Sequence, residues 1–173
     1  MSNSDKKILI TDTSVLINFL NIDRIDLLAA FPAEFLITGH VVDEITADFP
    51  DQKTRLNAAI ENGQLEIITV DSEQELKLYN ELIKERRLGA GECSAIACAI
   101  NRKYSLAMED SRACKQTIQL EPSIEILKTQ DIIIRLIVDG IITREEADSI
   151  KVEWQTNYRF TLKFKSYSDV IKV

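Results

Sequence analysis

One histidine, three cysteines, five glycines and three prolines are all that this 173-residue chain carries of the residues that often mark a site or a seam. A lone histidine, His40, excludes a His-rich metal site and any mechanism with two catalytic histidines. It could serve one catalytic triad, but the glycine-flanked serine of such hydrolases is missing. Cys93, Cys98 and Cys114 are odd in number and lack paired CxxC spacing, so they read as small buried hydrophobes in helices rather than zinc ligands. With so little Gly and Pro, no repeat and no low-complexity tract, there is no linker to divide the chain. It reads as a single domain over residues 1–173, long enough to bury roughly 70% of its unfolded surface without disulfides or structural metal. Long apolar runs are missing too. Ile8-Leu9-Ile10-Thr11 stops at Asp12 and Ile132-Ile133-Ile134 stops at Arg135. Neither suits a signal-peptide core or a bilayer span, so a cytoplasmic protein with no membrane partner is expected.

Basic residues are outnumbered, 21 Lys plus Arg against 28 Asp plus Glu, for a net charge of −7. That balance argues against a protein that binds nucleic acid through its overall field. It leaves room for an enzyme that reaches an anionic substrate through metal ions and one small basic patch. Hydrophobic residues at 45% and charged residues at 28% are those of a soluble globular protein, with only the first five or six residues expected to be disordered.

Short β-branched runs alternate with longer helical patterns, the signature of βαβ units and a parallel sheet. Strands are expected at Lys7–Thr11, Glu34–Thr38, Leu65–Val70, Tyr104–Met108 and Ile124–Leu127. Helices are expected between them, with Asn62-Gly63 closing one, and a short helix over Arg112–Lys115. The core then spans about 7–127. A C-terminal extension, about 128–173, holds two amphipathic helices, the first starting at Thr129 and ending at Asp139-Gly140. Thr143 to Glu146 reads as a capping box opening the second, with Trp154 on its apolar face. The alternating tail Phe160–Phe164 could form a strand or an extended arm.

Four acids fall at informative places. Asp12 ends the first strand and Asp110 follows the fourth; in open parallel sheets the ligand crevice lies beyond the carboxyl ends of the strands, where strand order reverses. Glu44 and Glu92 open helices, where exposed N–H groups favour a carboxylate. Carboxylates that converge without compensation repel one another, so such a cluster serves to hold a cation. Oxygen donors without a Cys/His set select Mg²⁺ or Mn²⁺ over zinc, and metal-assisted hydrolysis is the chemistry that follows.

The segments that carry these acids resemble a known family. Ile8-Leu9-Ile10-Thr11-Asp12-Thr13-Ser14 looks like the opening of PIN domains, and Val41-Val42-Asp43-Glu44-Ile45 like their second motif. Leu88-Gly89-Ala90-Gly91-Glu92 and Leu106-Ala107-Met108-Glu109-Asp110 are similar to the third and fourth motifs of one PIN subgroup. The resemblance implies a three-layer α/β/α sandwich with a central parallel sheet, divalent metal, and endoribonuclease activity on single-stranded RNA. For the many VapC-type toxins of the family it also implies a small antitoxin partner and, often, a homodimer. Matched by position, Asp12, Glu44, Glu92 and Asp110 are the catalytic and metal-binding acids, with Glu109 the fallback for the fourth. Glu109 departs from the pair of aspartates usual in that subgroup.

Thr13 and Ser14 could orient a phosphate or cap the next helix, and Arg87 and Arg112 could meet RNA phosphate or lie in solvent. Ile133, Ile137 and Ile141 at helical spacing would suit an antitoxin groove, or core packing. Two other readings stand beside the nuclease. One is an inactive PIN-like module that only binds RNA or protein. The other is a phospho-acceptor receiver, in which Asp71 after the third strand and Lys128 after the fifth would be essential.

Overall fold

Parallel strands pair in the order β3-β2-β1-β4-β5. They are β1 (Lys7–Thr11), β2 (Ala33–Thr38), β3 (Glu66–Ile68), β4 (Ser105–Ala107) and β5 (Ile126–Leu127). This is the arrangement of a computed structural model, which describes residues 6–171. Residues 1–5, expected to be disordered, lie outside the described residues. β1 is central, and its alternation sorts side chains to two cores. Leu9 and Ile10 are both fully buried, Leu9 on one face of the sheet and Ile10 on the other. A strand buried on both faces is what helices on both sides of a parallel sheet produce. The expected α/β/α sandwich is borne out.

The helices are α1 (Thr13–Asn21), α2 (Ile25–Ala30), α3 (Gly39–Asp48), α4 (Pro50–Glu61), α5 (Glu73–Lys84), α6 (Ala90–Arg102), α7 (Ser111–Leu120), α8 (Thr129–Val138), α9 (Arg144–Asn157) and α10 (Tyr167–Val170). One core gathers Leu16, Phe19, Phe35, Ile132, Trp154 and Tyr167, so α8, α9 and α10 share it with β1 and α1. The other holds Ile10, Leu82, Ile96, Leu106 and the three cysteines, all of them free and buried. Burial pushes the Cys93 thiol up to about 11 and Cys98 to about 12, so neither is a nucleophile near neutrality.

The C-terminal third is locked to α1 by Trp154. Its ring stands edge-on to Phe19 at 5.8 Å, and its indole N–H donates to the Asn18 carbonyl at 2.7 Å. Truncating so buried an aromatic costs about 3–5 kcal/mol. On the other face, Arg102 of α6 donates to Glu75 of α5 at 2.6 Å, a pair whose acid is buried.

Several local expectations change. β3 and β5 are edge strands and pair over less than their β-rich runs. α7 is longer than expected. Phe160–Phe164 forms no strand; Leu162 is buried and Phe164 packs on Tyr167 at 4.9 Å. Thr143 caps α9 through the Glu146 N–H, but the Glu146 carboxylate pairs with Arg24 at 3.0 Å instead of completing a box. Among the described residues no helix is long and apolar enough to cross a membrane.

Strand order reverses between β1 and β4, which places the crevice there. It also overturns the receiver reading, because that fold sets β3 beside β1. Here β3 and β5 are opposite edges, so Asp71 and Lys128 stand at the two ends of the sheet. Asp71 instead lies 3.5 Å from Arg102.

Candidate functional site

The last rung between the central strands fixes the first acid. The Asp12 N–H donates to the Ala107 carbonyl at 3.0 Å, and Asp12 then caps α1. One carboxylate oxygen, Oδ1, accepts from the Val15 N–H at 2.9 Å, and Oδ2 accepts from the Ser14 hydroxyl at 2.6 Å. Both bonds favour the charged form. Burial of Asp12 outweighs them and, with the charges of Glu92 and Glu109 adding to it, pushes the carboxyl up to about 7.

Glu44 reaches from α3 across to α6. Its Oε1 accepts from the Gly91 N–H at 2.7 Å and its Oε2 from the Thr13 hydroxyl at 2.6 Å. Glu92, in the first turn of α6, accepts from the Gly89 N–H at 3.0 Å. Its pKa is also raised, first by burial, then by the charges of Asp110 and Glu44. The N-terminus of α6 thus takes two carboxylates, as exposed N–H groups and the helix dipole favour.

After β4 the two adjacent acids part. Glu109 is half-buried and accepts at Oε2 from both the Thr129 N–H (3.0 Å) and the Thr129 hydroxyl (2.8 Å). Asp110 is exposed and caps α7, accepting from the Ala113 N–H at 2.8 Å.

Asp12, Glu44, Glu92 and Glu109 line one cleft of about 380 Å³, with Thr13 and Ser14 on the same wall. Asp110 does not line it, although its charge is felt at Glu92. Four chain segments therefore meet where β1 and β4 end. A larger hollow of about 450 Å³, around Lys6, Ala33 and Leu65, lies at the strand starts and is lined by none of these acids. Arg87 and Arg112 are brought together with Lys115, but in a separate groove of about 370 Å³ rather than in the acidic cleft.

The cleft is also lined by residues that the motifs did not point to: Phe49, Tyr158, Arg159 and Phe160. The last three follow α9, so the C-terminal extension closes the cleft. Their only local signal is a Tyr-Arg-Phe cluster just past a helix end.

Among the described residues, no three His, Cys, Asp or Glu side chains are drawn together as a ready metal shell. The donor set nonetheless fits a hard cation. All four cleft acids offer oxygen, each keeps lone pairs beyond its present hydrogen bonds, and burial and neighbouring charges raise the carboxyls of Asp12 and Glu92, a destabilisation of the charged forms that a bound cation would relieve.

A family model, DUF3368, described as a PIN domain, matches residues 8–172. The chain belongs to the PIN-domain family. Two solved structures show the same fold at low identity. VapBC2 from Rickettsia felis, solved bound to a DNA fragment from its promoter, aligns with a TM-score of 0.51 at 18% identity, covering 70% of this chain and 98% of that one. A PilT N-terminus domain protein, SSO1118, from Sulfolobus solfataricus P2 aligns with a TM-score of 0.51 at 15% identity, covering 72% and 89%. A toxin–antitoxin complex from Klebsiella pneumoniae aligns at 0.46 and 20% identity, over 61% and 88%. No curated protein matches the chain.

Proposed function

We propose that this PIN-domain protein is a Mg²⁺- or Mn²⁺-dependent endoribonuclease acting on single-stranded RNA. The observation that carries the reading is the meeting of Asp12, Glu44, Glu92 and Glu109 in one cleft beyond β1 and β4. In this reading Glu109, and not Asp110, is the fourth acid, because Thr129 holds Glu109 in the cleft while Asp110 caps α7. Asp12, Glu92 and Glu109 are the residues that would hold the cation, and Glu44 completes the acidic wall. Held there, a divalent cation would supply Lewis-acid chemistry for phosphodiester hydrolysis.

The chain's own groups set the stage for that chemistry. Ser14 and the Val15 N–H orient the Asp12 carboxylate, and Thr13 with Gly91 fixes Glu44. Arg87, Arg112 and Lys115 form a local cation excess beside an otherwise acidic protein, suited to the phosphates of a strand running past the cleft. We propose further that the whole chain acts as one unit, since the C-terminal helices share a core with β1.

The resemblance to VapC-type toxins carries two further proposals for this chain: a small antitoxin partner and a homodimer. The groove once expected on Ile133, Ile137 and Ile141 is not its seat as drawn. Ile133 is fully buried in the core and Ile137 packs against it, while Ile141 is 40% exposed.

The test is cleavage of labelled single-stranded RNA by wild type and Asp12→Asn, purified in parallel, with Mn²⁺ and with chelator. Metal-dependent cutting by wild type alone supports the reading. Equal cutting by both proteins sinks it.

A further inference from the structure

We propose that Arg159 grips a phosphate of the RNA strand in the acidic cleft, a reading that rests on the nuclease function above. Arg159 sits in the turn that ends α9. Tyr158 and Phe160 N–H groups both donate to the Trp154 carbonyl, at 3.0 and 3.3 Å, and the Trp154 and Phe160 rings pack edge to face at 5.4 Å. The residue between them must take a left-handed backbone, and Arg159 does so at φ 56°. After α4 and α8 this chain meets the same demand with Gly63 (φ 68°) and Gly140 (φ 72°).

Backbone alone does not single Arg159 out, because Arg86 and Lys103 stand left-handed after α5 and α6. Its surroundings do. Arg159 lines the cleft of Asp12, Glu44, Glu92 and Glu109, and it is the one basic residue among that cleft's lining residues. Among the described residues it makes no ion pair with any of the four acids or with any other carboxylate. An arginine placed to neutralise the acids would be paired with them. Exposed and unpaired among the described residues, Arg159 is free to meet an anion that enters the cleft it lines, and its planar fork matches phosphate oxygens. In a protein of net charge −7, a cation lining the same cleft offsets part of the repulsion between a phosphate and four carboxylates. The turn anchors it: Trp154 is fully buried, so Arg159 projects from a rigid helix end.

The experiment measures steady-state cleavage of a fluorescein-labelled single-stranded RNA in Mn²⁺ by wild type, Arg159→Gly and Arg159→Lys, over a series of salt concentrations, with melting temperatures of each. Glycine suits the left-handed turn, so Arg159→Gly should keep or raise the melting temperature, by about 2 °C where it rises. Its KM should rise about tenfold while kcat holds, as for a lost charge-assisted contact to bound substrate. The salt dependence of kcat/KM should flatten by about 0.7 in log–log slope, one phosphate contact on a single strand. Arg159→Lys should restore that slope and part of the KM. A wild-type KM and salt slope in a well-folded Arg159→Gly overturns the proposal and leaves the nuclease reading standing. So does a KM defect that tracks lost stability and is not relieved by lysine. Absence of any metal-dependent cleavage by wild type overturns the nuclease reading, and this proposal with it.

Discussion

Gly91 and Glu44 fit together only because Gly91 has no side chain. The Gly91 N–H donates to Glu44 Oε1 at 2.7 Å, and a Cβ at that position would collide with the same carboxylate. Gly91 is in the first turn of α6, where alanine would otherwise be the better helix former by about 1 kcal/mol. Gly91→Ala should therefore fail to stabilise the protein and should displace Glu44, lowering metal-dependent cleavage at least tenfold. Melting temperature and cleavage rate measured on one preparation check this. A variant that is both more stable and fully active would show that Glu44 has room to move without consequence.

The second prediction separates Glu109 from Asp110. Glu109→Gln keeps an oxygen for Thr129 and removes a charge from the cleft, so the metal-free protein should hold its stability. Its stabilisation by millimolar Mn²⁺ and its cleavage should fall strongly. Asp110→Asn should be mild in both respects, since asparagine caps helices about as well as aspartate. Thermal shifts with and without Mn²⁺ decide it, and the reverse ranking would return Asp110 to the site.

That pair shows where sequence reading stops. The strand-end and helix-start acids and the parallel sheet were legible, because each rests on local pattern or on a general rule of open sheets. Which of two neighbouring acids enters the cleft was not. Both follow the same strand, and an acid there is equally good as a helix cap. Thr129, 20 residues further on, makes the choice by binding Glu109. The C-terminal part of the cleft's lining was hidden for a similar reason, since Tyr158 and Arg159 reach it only through the packing of Trp154 on α1. The Ile133–Ile137–Ile141 spacing fits a core face and an exposed groove alike, and only burial distinguishes them.

The third prediction is a pH profile with two limbs. Glu75 is held down to about 2 by Arg102, below its unfolded value, so its contribution is present above about pH 4 and lost as pH falls toward 2. Asp12 runs the other way. Its folded value, about 7, lies above its unfolded value, so the native state holds the extra proton between about pH 4 and 7. Metal-free protein should lose stability as pH rises through that window, by up to a few kcal/mol at about 1.4 kcal/mol per unit. Asp12→Asn should shrink that limb to what the raised Glu92 carboxyl contributes and leave the acid limb alone. Mn²⁺ should oppose the loss near neutrality, because ligands bind deprotonated. Chemical denaturation from pH 3 to 8 with chelator, repeated with Mn²⁺, tests each limb; a wild-type profile flat from pH 4 to 7 would deny Asp12 its raised pKa.

The last prediction concerns a chain of hydrogen bonds that ends at the cleft. Trp154 donates to the Asn18 carbonyl at 2.7 Å, the Asn18 amide donates to the Thr129 hydroxyl at 3.0 Å, and that hydroxyl donates to Glu109 at 2.8 Å. Asn18 and Thr129 are both buried, so no water stands ready to replace a lost partner. Thr129→Val keeps the shape and deletes the hydroxyl. It leaves the Asn18 amide unsatisfied, at about 1–3 kcal/mol, and takes from Glu109 one of its two donors. The Thr129 N–H remains, so Glu109 should be loosened rather than released, and stabilisation by Mn²⁺ should fall part of the way toward that of Glu109→Gln. Thr129→Ser retains the hydroxyl and loses only a methyl group, so it should recover most of the metal response while keeping a small packing deficit. If valine and serine lower the Mn²⁺-induced shift in melting temperature equally, packing and not the hydroxyl positions Glu109. If valine lowers it and serine restores it, the Thr129 hydroxyl positions Glu109 in the cleft.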